Sequence, residues 1–261
     1  MSLVYAYAIA RAGGAAPAGL RGLDGGAVRA IREGELEAFV SDVPEDEFGE
    51  GPLNAHLADM EWVTPRAVRH QDVNASLAAA RDPLVPLAFG AVFRDTAGVT
   101  RMLRERAADI GPRFDLLRGK AEWIAVVRRD MVKAVAAVAS GSEALRALKA
   151  EIAAAPPGRG YLIAKQLDET QRQELRATDA NAVAAAVESL EGAGTRLFRE
   201  PLVEDAGGGM LARFSVLASR DGGPALDDLR HTFERSWEPR GYTLELSGPW
   251  PAYRFSTVDP Q

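Results

Sequence analysis

The chain has 261 residues, 47% of them hydrophobic and 26% charged, which is enough for one large or two medium globular domains. A net charge of -6 opposes any phosphate-backbone partner, and the lack of cysteine removes disulfide frameworks and thiolate chemistry alike. No stretch approaches the roughly 20 apolar residues of a membrane span, and no basic segment precedes the apolar run near the N-terminus, so a cytoplasmic protein is expected.

Residues 3–10 place Leu3, Tyr5, Tyr7 and Ile9 on one side and Ala6, Ala8 and Ala10 on the other, the period of two of a strand. A loop rich in Gly, Ala and Pro follows. Residues 28–31 and 36–40 flank Glu33-Gly34 and predict a hairpin. Residues 42–52 read as an acidic loop, in which Phe48 either anchors the loop or faces a partner. Helical tendency runs over residues 53–80 and predicts two helices separated at Thr64-Pro65, where Thr caps and Pro takes the first helical position. Residues 84–93 are apolar, but Pro86 and Gly90 make them an edge or bent strand. Beyond Asp95-Thr96, Val99, Leu103, Ile110, Phe114 and Leu117 recur at helical spacing up to Gly119.

The second half opens with a strand at residues 121–129 and a helix carrying Met131, Val135 and Val138. The Ser140-x-x-Glu143 spacing predicts a capping box before Leu145, Leu148 and Ile152. A long helix over residues 161–190 has Leu167, Leu175, Ala182, Ala186 and Leu190 for its buried side. Strands at 197–203 and 210–218 flank a glycine-rich turn at 204–209, and a helix at 226–237 leads to a strand at 242–246. From residue 121 onward the order is strand, helices, strand, strand, helix, strand. That is the order of a ferredoxin-like fold, with extra helices in the first crossover.

Chemistry-bearing motifs are sparse. His56, His70 and His231 form no HExxH pair or other metal-ligand spacing; His56 with Asp59 reads as a solvated helix pair, and His70 as a surface or interface polar group. Gly207-Gly208-Gly209 is followed by a strand, not by the helix N-terminus that a phosphate cradle needs. The search therefore nominates no catalytic residue, metal site or cofactor. The segment GPWPAYRF at 248–255 reads either as a rigid strap whose aromatic side chains pack back onto the protein or as an aromatic ligand site, with the strap favoured.

The stretches LVYAYAIA (3–10), LEAFVSDVP (36–44), PLVPLAFGAVF (83–93), GKAEWIAVV (119–127), GRGYLIAK (158–165) and GPWPAYRF together resemble the gas vesicle GvpF/GvpL family over nearly the whole chain. Ala88, Ala91 and Ala252 stand where that family commonly has arginine, threonine and proline, so a role resting on charge at position 88 is not expected here. The resemblance implies an α+β protein of two domains: an N-terminal mixed α+β domain (1–118), then a modified ferredoxin-like domain with extra helices (119–247) and a C-terminal strap (248–261). It also implies no enzymatic activity and no cofactor. The implied function is assembly: binding of the hydrophobic shell protein GvpA and of other gas vesicle accessory proteins, chaperone-like protection from aggregation, and residence in the gas vesicle as a minor component. Candidate partner-binding or strap residues are Phe89, Phe93, Trp250, Tyr253 and Phe255. The alternative reading is an enzyme or small-ligand-binding protein with polar groups converging near Glu122, Arg128 and Arg213. RNA binding is weaker still, because the strands lack the basic-aromatic motif of RNA-recognition modules.

Overall fold

The structure, a computed structural model, describes residues 2–14, 16–202 and 209–256. It is α+β and divides into two compact units. The first takes the chain up to Glu122 and again from Pro249; the second is Trp123–Gly248.

The first unit is built on β1 (Ser2–Arg11), which pairs antiparallel with β3 (Leu36–Pro44). β2 (Arg29–Glu33) completes the hairpin, turning through Gly34 at φ 56, the left-handed region that glycine enters without a Cβ penalty. The acidic stretch after β3 is helical, not a loop. Glu45, Asp46 and Glu47 form the first turn of α1 (Glu45–Phe48), where carboxylates complement the positive end of the helix, and Phe48 is buried beneath them. α2 (Glu50–His56) follows, and the helical break falls at residues 57–59, not at Thr64-Pro65. Asp59 decides this: its carboxylate accepts from the Glu61 and Trp62 amides and caps α3 (Met60–Ala80), which then runs straight through Pro65. His56 is not paired with Asp59 but stacks on Trp62, with ring centroids 4.6 Å apart.

β4 (Leu84–Pro86) and β5 (Val92–Phe93) both pair with β1, so the expected bent strand is two short strands on one edge, separated by a turn with Gly90 at φ 90. The sheet order is β2-β3-β1-β4. Asp95 caps α4 (Thr96–Leu117) by accepting from the Gly98 amide.

A register shift between Ala6 and Ala8 in β1 changes which side chains face which way. A bulge inserts one residue and flips the alternation beyond it. Tyr5 and Tyr7 consequently share their core cluster with Ala8, Ala10, Val73 and Leu77, whereas Ile9, expected beside the tyrosines, lies on the face lined by Ile110 of α4.

The second unit contains β6 (Lys120–Arg129), α5 (Met131–Gly141), α6 (Glu143–Ala154) and the 37-residue α7 (Pro157–Ala193). β7 (Arg196–Glu200), β8 (Met210–Ser219), α8 (Gly223–Trp237), a 3-10 turn at Glu238–Arg240 and β9 (Tyr242–Trp250) follow. The strands lie in the order β7-β8-β6-β9, the interleaved order of a ferredoxin-like sheet, with α5 and α6 as additions to its first crossover. The cap before α6 is Ser142, not the expected Ser140: Ser142 accepts from the Leu145 amide, while the Ser140 hydroxyl donates to the Ala137 carbonyl inside α5. The glycine-rich turn expected at 204–209 lies, up to residue 208, outside the described residues.

Ala182, Ala186 and Leu190 of α7 and Leu226 and Phe233 of α8 enclose the core with Trp123, Phe214 and Tyr242. The Asp179 carboxylate fastens α7 to the sheet by accepting from the Tyr242 hydroxyl at 2.9 Å and from Arg129. Before β9 the chain turns at Gly241, φ 86, and a Cβ there would stand 2.7 Å from the Ala134 nitrogen and 2.9 Å from the Asp130 carbonyl oxygen. Both obstacles are backbone atoms. Gly241→Ala is therefore expected to cost roughly 1–3 kcal/mol of stability, read as a lower urea midpoint; an unchanged midpoint would show that the turn relaxes without strain.

Candidate functional site: an aromatic network and a two-arginine groove

α3 places His70 and Asn74 four residues apart on the face that also carries Val73 and Leu77 toward β1. Tyr5, two residues from Tyr7 on the same side of β1, meets His70: its hydroxyl lies 2.9 Å from Nδ1 and accepts from the Gly90 amide at 3.0 Å. Asn74 Nδ2 donates to His70 Nε2 at 3.0 Å and to the Tyr253 hydroxyl at 2.8 Å. With Nε2 as acceptor, the ring proton sits on Nδ1. Tyr7 is held separately by Ser41 at 2.8 Å and by the Leu23 amide at 2.9 Å. Phe89 meets the imidazole edge to face at 5.7 Å, and the Tyr253 ring lies 5.9 Å from it.

His70 is 3% exposed, not on the surface as expected from its polar neighbours. Burial disfavours its charged form and lowers its pKa to about 4. Burial likewise pushes the phenols of Tyr5 and Tyr7 upward, and that of Tyr253 to about 12, the Glu122 carboxylate adding to the effect. At neutral pH the network is uncharged and both imidazole nitrogens are engaged. Its chemistry is that of a fastener: it ties α3, β1, the Gly90 turn and the C-terminal strap together.

Beyond β4 lies a cavity of about 210 Å³ with an apolar floor that includes Ile9, Val85, Leu87 and Ile110. Arg106 and Arg113 of α4, Tyr253, Ser256 and the exposed Ala88 are also in its lining. Positive charge at this cavity comes from the helix and not from position 88.

Phe89 and Tyr253, two of the sequence candidates, thus converge around His70. Phe255 is buried in α9 (Tyr253–Ser256), a helical turn whose Ser256 hydroxyl donates to the Pro86 carbonyl at 3.1 Å. Phe93 is half-buried on β5 opposite Val4, and Trp250, at the end of β9, is 39% exposed. The residues of the alternative reading are dispersed. Glu122 accepts from the Arg254 amide in the first unit, whereas in the second Arg128 pairs with Glu245 and Arg213 lies opposite Glu200 in the β7–β8 register. Sequence reasoning missed Asn74, Arg106 and Arg113; the only available signals were the four-residue spacing of His70 and Asn74 and the two-turn spacing of the arginines.

Among the described residues no group of three or more His, Asp or Glu side chains is placed to hold a metal ion, and no helix is long and apolar enough to cross a membrane. The pattern of the gas vesicle synthesis protein GvpL/GvpF family matches residues 3–257. The chain belongs to this family. Gas vesicle protein F of Streptomyces sp. (strain CB03234) is 28% identical over 240 residues, 87% of each chain. Gas vesicle protein L of the same strain is 36% identical over 122 residues, a match spanning 46% of each chain. Gas vesicle protein L2 of Halobacterium salinarum is 29% identical over 215 residues, 76% of this chain and 73% of the relative. The fold is that of the GvpF crystal structures from Anabaena sp. PCC7120 (TM-score 0.71, 16% identity, 100% and 98% of the two chains) and Microcystis aeruginosa (0.68, 14%, 98% and 99%). The family match places both units, and the strap that closes the first, within a GvpF/GvpL protein.

Proposed function

We propose that this GvpF/GvpL protein acts in gas vesicle assembly by binding the hydrophobic shell protein GvpA, limiting its aggregation, and that it stays in the cytoplasmic vesicle as a minor component alongside other accessory proteins. The observation that carries this reading is the family match across residues 3–257. Its physical sense lies in what an apolar shell subunit requires. Strand edges and apolar faces left open template aggregation, and a partner that covers them keeps the subunit deliverable. Large apolar side chains are exposed in both units, among them Met60 and Val68 on α3, Val132 on α5, and Tyr161 and Leu162 on α7.

Co-expression with the shell protein tests the reading. A soluble complex recovered by pull-down, with more shell protein in the supernatant than in its absence, is the expected result. Shell protein found wholly in the pellet, with none co-purifying, would overturn it.

A further inference from the structure

Arg106 and Arg113 stand two turns apart on α4 with Ile110 between them, so their guanidinium groups border one apolar floor. In a chain of net charge -6, most cations facing a concave surface are expected to be paired. On the same helix Arg104 pairs with Glu33 at 2.8 Å. Arg106 and Arg113 have neither hydrogen bond nor ion pair among the described residues. The opposite wall is already committed. The Tyr253 hydroxyl accepts from Asn74, and the Ser256 hydroxyl is turned to the Pro86 and Tyr253 carbonyls, 3.1 and 2.9 Å away. The unused hydrogen-bonding capacity at this groove is therefore cationic and lies on the α4 side.

Size limits the occupant. At about 210 Å³ the cavity is below the roughly 300–1,000 Å³ of pockets that enclose a whole small molecule. It fits one anchoring side chain and a carboxylate. The floor of Ile9, Val85, Leu87 and Ile110 selects an apolar anchor, and two planar guanidinium groups at its rim select a carboxylate beside that anchor. Ala88, exposed and small, adds no bulk to this lining.

We propose that the groove between α4, β4 and the C-terminal helical turn is a docking site for a segment of a partner polypeptide in which an aliphatic side chain adjoins an acidic one, the acidic group being held by Arg106 and Arg113. This deepens the assembly reading by stating the chemistry of the partner segment, and it rests on that reading only for the choice of a polypeptide as occupant.

The test uses the full chain and a labelled peptide that alternates leucine with glutamate, alongside its glutamine counterpart. The glutamate peptide is expected to bind the unaltered protein. Binding should fall roughly tenfold or more for the glutamine peptide and for Arg106→Gln/Arg113→Gln, the loss of charge-assisted hydrogen bonds. Arg101→Gln, an exposed position on the same helix, should bind as the unaltered protein does. Neither guanidinium has a partner among the described residues, so the double variant should keep its melting temperature, which separates lost binding from lost folding. Equal binding of the two peptides, full binding by the double variant, or a response to inorganic phosphate with none to the peptide would each overturn the proposal.

A parallel pull-down of the shell protein separates the two readings. If the unaltered protein and the double variant capture it equally, the groove is not its docking site but the assembly role stands. If neither captures it while the glutamate peptide binds through the arginines, the groove stands and the proposed partner does not.

Discussion

Glu37→Ala is expected to lower the unfolding free energy of the first unit by about 3–5 kcal/mol, the typical loss when one member of a buried ion pair is removed. Glu37 sits on β3 with no solvent exposure, its carboxylate 2.5 Å from Arg81 and 3.2 Å from Arg32. Arg81 is itself largely buried, packed over the Phe39 ring and donating to the Arg11 carbonyl at 2.5 Å. Removing the carboxylate leaves a largely buried guanidinium without its closest counter-charge. The double substitution Glu37→Met/Arg81→Met removes both charges and fills the space with apolar atoms, so it should cost clearly less than the sum of the two single changes. Urea titrations of the three variants decide the matter. A single-variant loss below about 1 kcal/mol, or strict additivity in the double variant, would show that the pair is not a coupled buried element.

Mild acid is the second large lever. His70 has a folded-state pKa lowered to about 4 by burial, against about 6.5 for an unfolded histidine. The unfolded chain therefore binds a proton at a pH where the folded chain does not, and stability must fall as pH falls. The contribution is complete above about pH 6.5 and is lost progressively down to about pH 4. Linkage between those two values gives a loss of about 2 kcal/mol between pH 7.5 and pH 5, a range chosen to lie mostly above carboxylate titration. His70→Gln keeps polar atoms near Tyr5 and Asn74 but does not titrate. It should be less stable at pH 7.5, and its stability should change much less between the two pH values. An unaltered pH slope in the variant would assign the acid sensitivity to other groups.

Much of the architecture was legible because it rests on local signals. The hairpin at Gly34, the helix after Asp95, the cap region before α6 and the ferredoxin-like strand order each follow from turn chemistry or periodicity within a few residues. The misreadings share a cause: two local signals competed and the weaker one on paper won. Asp59 outranked Thr64-Pro65 because its carboxylate reaches two free amides, whereas a proline near a helix start removes only one hydrogen bond. The acidic run at 45–47 looked like a solvated loop because acidic composition was weighed without its position at a helix N-terminus.

The candidate site was legible only in part. Phe89 and Tyr253 stand out in the sequence as aromatic residues in unusual contexts, and they do converge; their meeting point, His70, reads as a surface or interface polar group because Arg69 and Gln71 flank it. Neighbours in sequence point away from one another on a helix and say little about burial of the residue between them.

What the amino-acid sequence determined by itself is the family, the α+β class and the order of most elements, since each is written in short-range patterns. Only the tertiary structure decided that Ile9 leaves the tyrosine face, that Asn74 links His70 to a residue 179 positions away, and that Arg106 and Arg113 border a groove without partners among the described residues. The reason is geometric. A one-residue bulge inverts a strand's faces without leaving a compositional trace, and contacts between distant segments depend on sheet register, which no window of neighbouring residues contains.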